Sequence, residues 1–260
     1  MSDRPIAARF ARARAARRAA LIPYLTAGYP SAEATREALA MIAEVGADVV
    51  ELGIPFSDPL ADGPVIQRAS EAALRSGMSL ERALALVRDT RPRVPVVLFS
   101  YLNPLLAYGF EAFVGDAKAV GIAGLLVTDL PAGQDPERCR LVQDAGLDLI
   151  RLVAPTTPAP RIREVVADGS GFVYVISRLG VTGPRTEATD AAAQAVRRVR
   201  DVTGLPVAVG FGIQSAEQVR AIAKFADGVV VGSALVERLG AGVEPARAFL
   251  TDVMSSLSSF

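Results

Sequence analysis

The chain is expected to be an α/β protein folded as a (β/α)8 TIM barrel with an extra N-terminal helix, and three observations predict it. Eight short β-rich runs alternate with helical stretches along 260 residues, the count that such a barrel requires. Most of those runs are continuously apolar, as parallel strands covered on both faces must be. No linker, low-complexity stretch or Pro/Ser-rich break interrupts the chain, so residues 1–260 are expected to form one domain. An open doubly wound sheet is the competing arrangement. The length, the strand count and the lack of an early Gly-rich fingerprint go against it.

The elements follow in order. Residues 1–19 contain ARFARARAARRAA, rich in Arg and Ala like a transit peptide but without its serines, and joined directly to LIPYL. A basic helix packed on the barrel is the expectation, with a cytoplasmic location. Strands are expected at 21–25, 48–53, 95–100, 123–128, 148–153, 172–177, 206–210 and 228–232. Between the first two, SAEATREALAMIAEVG offers Ser31 as an N-cap and a closing glycine. AEQVRAIAKFADG and DAAAQAVRRVRDVTG have the same helical pattern.

Composition then narrows the chemistry. The 28 basic and 28 acidic side chains cancel, which argues against nucleic acid or an anionic membrane surface as the main partner. No apolar run reaches the length of a spanning helix. There is no histidine and one cysteine, Cys139, which removes imidazole bases, Ser–His pairs, disulfides and thiolate-rich zinc sites. Lys118 and Lys224 are the two lysines, and both fall in helical segments. No metal or organic cofactor is expected. Carboxylates, hydroxyls, backbone amides and arginine must carry the chemistry.

In such a barrel the active site lies at the C-terminal ends of the strands. The second strand ends ELGIPFSDPLADGP. Side chains alternate along it, so Glu51 points into the barrel if Leu52 faces the helices. A buried carboxylate without a partner has a raised pKa, which suits proton transfer. The alternative is a structural Glu paired with an arginine from another strand, such as Arg151. Asp62 follows in a loop stiffened by Pro55, Pro59 and Pro64, where Asx turn chemistry is the alternative. After the sixth, seventh and eighth strands, Gly183, Gly212 and Gly232 allow close backbone approach to an anion. Ser233 can cap the helix whose N–H groups and dipole would favour a phosphate; helix caps and turns are the plainer explanation for any one glycine. The loop from Arg178 to about Asp190, with Gly180 and Thr182, has the length of a lid. Tyr24, Phe99, Tyr101, Leu126 and Leu152 near strand ends could line an apolar slot or simply fill the core.

ELGIPFSDPLADGPVIQ resembles the signature of the tryptophan synthase alpha chain family. LIPYLTAGYP, YLNPLLAYG, LLVTDLP, SRLGVTG and GFGI match it in order, so the resemblance spans nearly the whole chain. It implies a (β/α)8 barrel lyase, which cleaves indole-3-glycerol phosphate to indole and glyceraldehyde 3-phosphate in tryptophan biosynthesis. Matched by motif, Glu51 and Asp62 are the catalytic pair, and Gly183, Gly212, Gly232 and Ser233 form the phosphate site. Tyr24, Tyr101, Leu126, Leu152 and Tyr174 fall at the indole pocket, Thr182 on a lid facing the aspartate, and Asp129 at a family aspartate near Asp62. The composition agrees. A retro-aldol cleavage needs an electron sink, and indole supplies its own once C3 is protonated, without a lysine Schiff base or zinc.

The resemblance also implies a beta chain as partner in an α2β2 assembly. The strand-2 loop (Pro55, Phe56, Asp58) and YLNPLLAYGF, with Leu105, Leu106, Tyr108 and Phe110, are the contact candidates; a buried short helix is the alternative for the second segment. Two other functions remain open at this point. Another phosphate-binding barrel enzyme of the same pathway would be expected to use a lysine or cysteine at a strand end. A non-enzymatic ligand-binding barrel would have no use for an unpaired interior carboxylate.

Overall fold

The computed structural model describes residues 4–176, 185–210 and 212–257. Its strands are β1 (Ala20–Thr26), β2 (Val50–Gly53), β3 (Val96–Ser100), β4 (Gly124–Val127), β5 (Asp148–Leu149), β6 (Arg151–Val153), β7 (Val173–Ile176), β8 (Val207–Gly210) and β9 (Gly228–Val231). The helices are α1 (Pro5–Ala15), α2 (Ala32–Val45), α3 (Pro64–Arg75), α4 (Leu80–Thr90), α5 (Leu102–Tyr108), α6 (Phe110–Ala119), α7 (Pro136–Asp144), α8 (Ala159–Val166), α9 (Arg185–Arg200), α10 (Ala216–Ala223), α11 (Ser233–Gly240) and α12 (Val243–Leu257).

All the paired strands are parallel, in the order β5-β4-β3-β2-β1-β9-β8-β7-β6. The strand expected at 148–153 is split at Ile150 into β5, which pairs with β4, and β6, which pairs with β7. One continuous segment therefore serves both ends of the sheet and closes the ring. The Ile150 N–H still donates to the Leu125 carbonyl at 2.8 Å, so the interruption leaves no orphaned amide.

The period-two alternation sorts the side chains into two cores. Leu21, Leu25, Leu52, Leu98 and Leu125 face outward and pack with α2, α4, α6 and α12. Ile22, Tyr24, Val97, Phe99, Ile150 and Tyr174 face inward. The first helix behaves as expected: its Ile6, Phe10 and Ala13 join the inner cluster, with Phe10 5.4 Å from the Phe172 ring. Ser31 caps α2 by accepting from Ala34 N–H at 3.0 Å, and Gly46 ends that helix at φ 90°, a left-handed turn glycine makes without strain.

Arginines of the N-terminal segment bind the ends at which the strands begin. Arg4 reaches Asp148 at 2.7 Å, Arg18 reaches Asp48 at 2.6 Å, and Arg14 faces Asp227 at 3.5 Å. Asp48 also accepts from Leu21 N–H, and Asp227 from Val207 N–H, both at 2.9 Å. These aspartates join neighbouring strands while the arginines neutralise their charge. Among the described residues no helix is long and apolar enough to cross a membrane.

Candidate functional site

A cleft at the C-terminal ends of the strands is assembled from several strand ends and the loops after them. Tyr24, Glu51, Phe99, Tyr174 and Val230 form its floor, Asp62 and Ile66 one wall, and Gly212, Gly232 and Ser233 another. About 370 Å³ of space lies between its atoms when the open solvent at its mouth is included. The cleft thus joins the carboxylate pair to the glycine-rich loops that follow β8 and β9.

Glu51 is 1% exposed and faces inward because Leu52 packs outward. Its Oε1 is buried and has no hydrogen-bond partner among the described residues. Arg151 does not neutralise it. That side chain lies in the outer layer, where it binds Asp168 at 2.8 and 2.5 Å and donates to the Leu130 carbonyl at 3.0 Å. Burial alone pushes the Glu51 carboxyl from 4.5 to about 8, because the charged form has lost its water and gained no compensating charge. At neutral pH it holds a proton.

Asp62 is half-buried, in the loop between β2 and α3. Tyr101 Oη donates to its Oδ2 at 3.1 Å and accepts from Ala61 N–H at 2.9 Å. The phenol therefore pins both the side chain and the backbone beside it. Burial lifts the Asp62 carboxyl to about 6, while the hydrogen bond from Tyr101 favours the anion and pulls the other way. Two carboxyls in one cleft are thus held in different proton states near neutral pH, a division suited to acid–base work.

Two glycines make the cleft possible. A Cβ on Gly53 would lie 2.0 Å from Tyr24 Oη, and one on Gly210 would lie 2.0 Å from Tyr174 Oη. Both are closer than non-bonded atoms can approach, so the two phenols occupy the space that side chains would take. Burial and the nearby carboxyls raise both phenols well above the ordinary tyrosine value, so they remain neutral. Tyr24 also meets Phe99 edge-on at 5.5 Å.

The remaining expectations divide. Tyr24 and Tyr174 line the cleft, and Tyr101 adjoins it through Asp62. Leu126 is fully buried in the inner cluster and Leu152 packs against it; neither is on the wall of this cleft. Gly212 has φ 78°, a conformation favouring glycine. Ser233 does not cap α11. It is the first residue of that helix, Gly232 holds the cap position, and no side-chain capping bond forms, because a residue already in the first turn cannot fold back on its own N–H groups. Asp129 accepts from Leu102 N–H at 2.6 Å, so it serves the start of α5, next to Tyr101. Thr182 and Gly183, with the rest of 177–184, lie outside the described residues.

The contact candidates differ in their exposure. Pro55 is buried, Phe56 half-buried and Asp58 exposed. Pro55 is the second residue after β2, next to Ile54, whose N–H still donates to the Phe99 carbonyl at 2.9 Å. YLNPLLAYGF forms α5 and the start of α6, with Leu105 and Phe110 buried and Leu106 exposed. Sequence reading missed Leu60, which is 93% exposed in the same loop as Phe56, and the roles of Gly53 and Gly210. Gly53 shares a strand face with Glu51, a signal that was present but carried no reason without the facing phenol.

Comparisons with known proteins identify one family. A family model described as tryptophan synthase alpha chain matches residues 10–259. Curated proteins named tryptophan synthase alpha chain from Acidiphilium cryptum and Synechococcus elongatus are 47% and 48% identical to the chain. The first alignment covers 92% of this chain and 88% of its relative, and the second covers 88% of each. A solved Mycobacterium tuberculosis tryptophan synthase chain superposes with TM-score 0.92 at 40% identity, over 98% of each chain. The alpha subunit from Legionella pneumophila gives 0.90 at 34% identity, over the full length of both.

Proposed function

The chain belongs to the tryptophan synthase alpha chain family and catalyses the alpha reaction of tryptophan biosynthesis, and from that premise we propose how its residues divide the work. Glu51, protonated at rest, donates its proton to C3 of the indole ring of indole-3-glycerol phosphate. The ring nitrogen then carries positive charge, which the Asp62 carboxylate stabilises at the N–H. The Glu51 carboxylate next takes the proton of the glycerol hydroxyl on the carbon bonded to C3. The C3–carbon bond breaks, its electron pair returns to the ring, and indole and glyceraldehyde 3-phosphate leave. One proton is given and one recovered, so the enzyme returns to its starting state.

The phosphate is assigned to Gly212, Gly232 and Ser233, with Gly183 from the loop after β7. The free N–H groups at the start of α11 and the helix dipole favour an anion there. The indole ring is assigned to Tyr24, Tyr101 and Tyr174, backed by Leu126 and Leu152, and the family resemblance assigns Thr182 to a lid. The observation that carries this reading is the buried, unpaired Glu51 carboxyl in the same cleft as Asp62 and the glycine-rich loops.

Glu51→Gln should abolish indole release while leaving substrate affinity within a few-fold; turnover near the wild-type rate would remove Glu51 from this role. The family's partner is the beta chain. We assign its contact to the strand-2 loop, Pro55, Phe56 and Asp58 together with Leu60, because covering an apolar side chain as open as Leu60 is favourable. The family reading also carries the cytoplasmic location.

A further inference from the structure

A second cavity opens at the opposite end of the barrel. Ala19, Pro206 and Ala226 line it, and they immediately precede or closely precede β1, β8 and β9. It therefore lies where the strands begin, away from Glu51. About 930 Å³ of space is enclosed or opens to solvent there. Its floor is apolar, with Phe10 from α1 and Ala223 from α10, and its rim carries Arg14, Arg17 and Arg18.

The charges around it do not cancel. Asp227 on the wall is already engaged: its Oδ1 faces Arg14 at 3.5 Å, while its Oδ2 faces Arg200 at 3.1 Å and accepts from Val207 N–H at 2.9 Å. Arg18 is committed to Asp48 at 2.6 and 2.9 Å. Four guanidinium groups thus meet two carboxylates, and the Arg17 side chain makes no ion pair or hydrogen bond among the described residues. Arg17 also has φ 54°. It follows the end of α1, with its N–H on the Arg14 carbonyl at 2.9 Å and Arg18 N–H on the Ala13 carbonyl at 3.1 Å. Glycine takes this helix-terminating conformation without strain, whereas a side chain with a Cβ does not. Arg91 ends α4 in the same conformation, at φ 47°, so the backbone alone marks no site; what sets Arg17 apart is that its unpaired guanidinium lies on the rim of this cavity.

We propose that this cavity binds an aromatic anion, a flat apolar body carrying one carboxylate, sulfonate or phosphate-ester group. The ring would lie on the Phe10–Ala223 floor, and Arg17 would pair with the acidic group. Guanidinium suits both parts, since it stacks on rings and bonds oxyanions in a fork. The site is distinct from the catalytic cleft and owes nothing to the assignments made there.

The probe is 1-anilinonaphthalene-8-sulfonate, followed by fluorescence with the full-length chain. One saturable equivalent is expected, unaffected by saturating glycerol 3-phosphate. Arg17→Gly should weaken it at least tenfold while the thermal midpoint holds or rises, because the backbone strain is relieved. Ala223→Leu, which fills the floor, should weaken it comparably with all the arginines in place. Equal affinity in Arg17→Gly, displacement by glycerol 3-phosphate, or failure to saturate would each overturn the proposal.

Discussion

At the scale of single residues, Glu51 and Asp62 make the pH profile a direct test. Glu51 must hold its proton to donate it, and its carboxyl is pushed to about 8. Asp62 must be charged to stabilise the ring N–H, and its carboxyl is lifted to about 6. The value of kcat/KM should therefore fall as pH rises through about 8 and again as it drops through about 6. Tyr101→Phe removes the hydrogen bond that favours the Asp62 anion. Its acid limb should move upward while the alkaline limb stays, since burial alone accounts for the shift at Glu51. An acid limb that does not move would detach it from Asp62. The inward aim of Glu51 was legible, because a strand's side chains alternate and Leu52 was the better outer residue. The Tyr101–Asp62 bond was not, because no local pattern tells a proline-rich loop which strand end it will fold over.

At the scale of elements, the strands tolerate the cleft because two of them give up a side chain. Gly53→Ala on β2 would force its Cβ to 2.0 Å from Tyr24 Oη. The strand cannot retreat, since it is paired on both sides with β1 and β3. Urea unfolding should show a loss of about 1–3 kcal/mol, and Tyr24→Leu in the same chain should recover part of it. Purely additive effects in that double-mutant cycle would mean that the two positions do not compete for space. All eight predicted strand regions were found because continuous apolar runs between helical stretches are a strong signal. The break at Ile150 was hidden, because Asp148–Val153 reads as one strand and only ring closure requires it to serve two neighbours. The Ser233 cap failed for a related reason: the composition of a helix start identifies the residues but not which one holds the cap.

At the scale of the whole molecule, the burial that makes Glu51 useful also weakens the fold. The unfolded chain releases this proton near 4.5, whereas the folded chain keeps it to about 8. In that window the folded state binds more protons, so this residue's contribution to stability is intact below about 4.5 and declines as pH rises to about 8. Glu51→Gln removes the penalty. Chemical denaturation should find the variant little changed near pH 4 and more stable by on the order of 5 kcal/mol above pH 8. A stability difference that is flat in pH would mean the carboxyl is not desolvated. At the other end, Arg4, Arg14 and Arg18 spend their charge on aspartates at the starts of strands, whereas Arg17 does not.

The sequence by itself determined the barrel class, the strand order along the chain and the inward face of Glu51, because each follows from periodicity and residue type over short spans. It also determined the family, because a seventeen-residue motif kept in order with five others leaves little freedom. The tertiary structure alone decided that Arg151 would serve Asp168 instead of Glu51, that Tyr101 would hold Asp62, and that glycines on β2 and β8 would yield their space to tyrosines on neighbouring strands. Those are contacts between residues brought together only when the sheet curls into a ring, and their energies depend on distances that no spacing along the chain encodes.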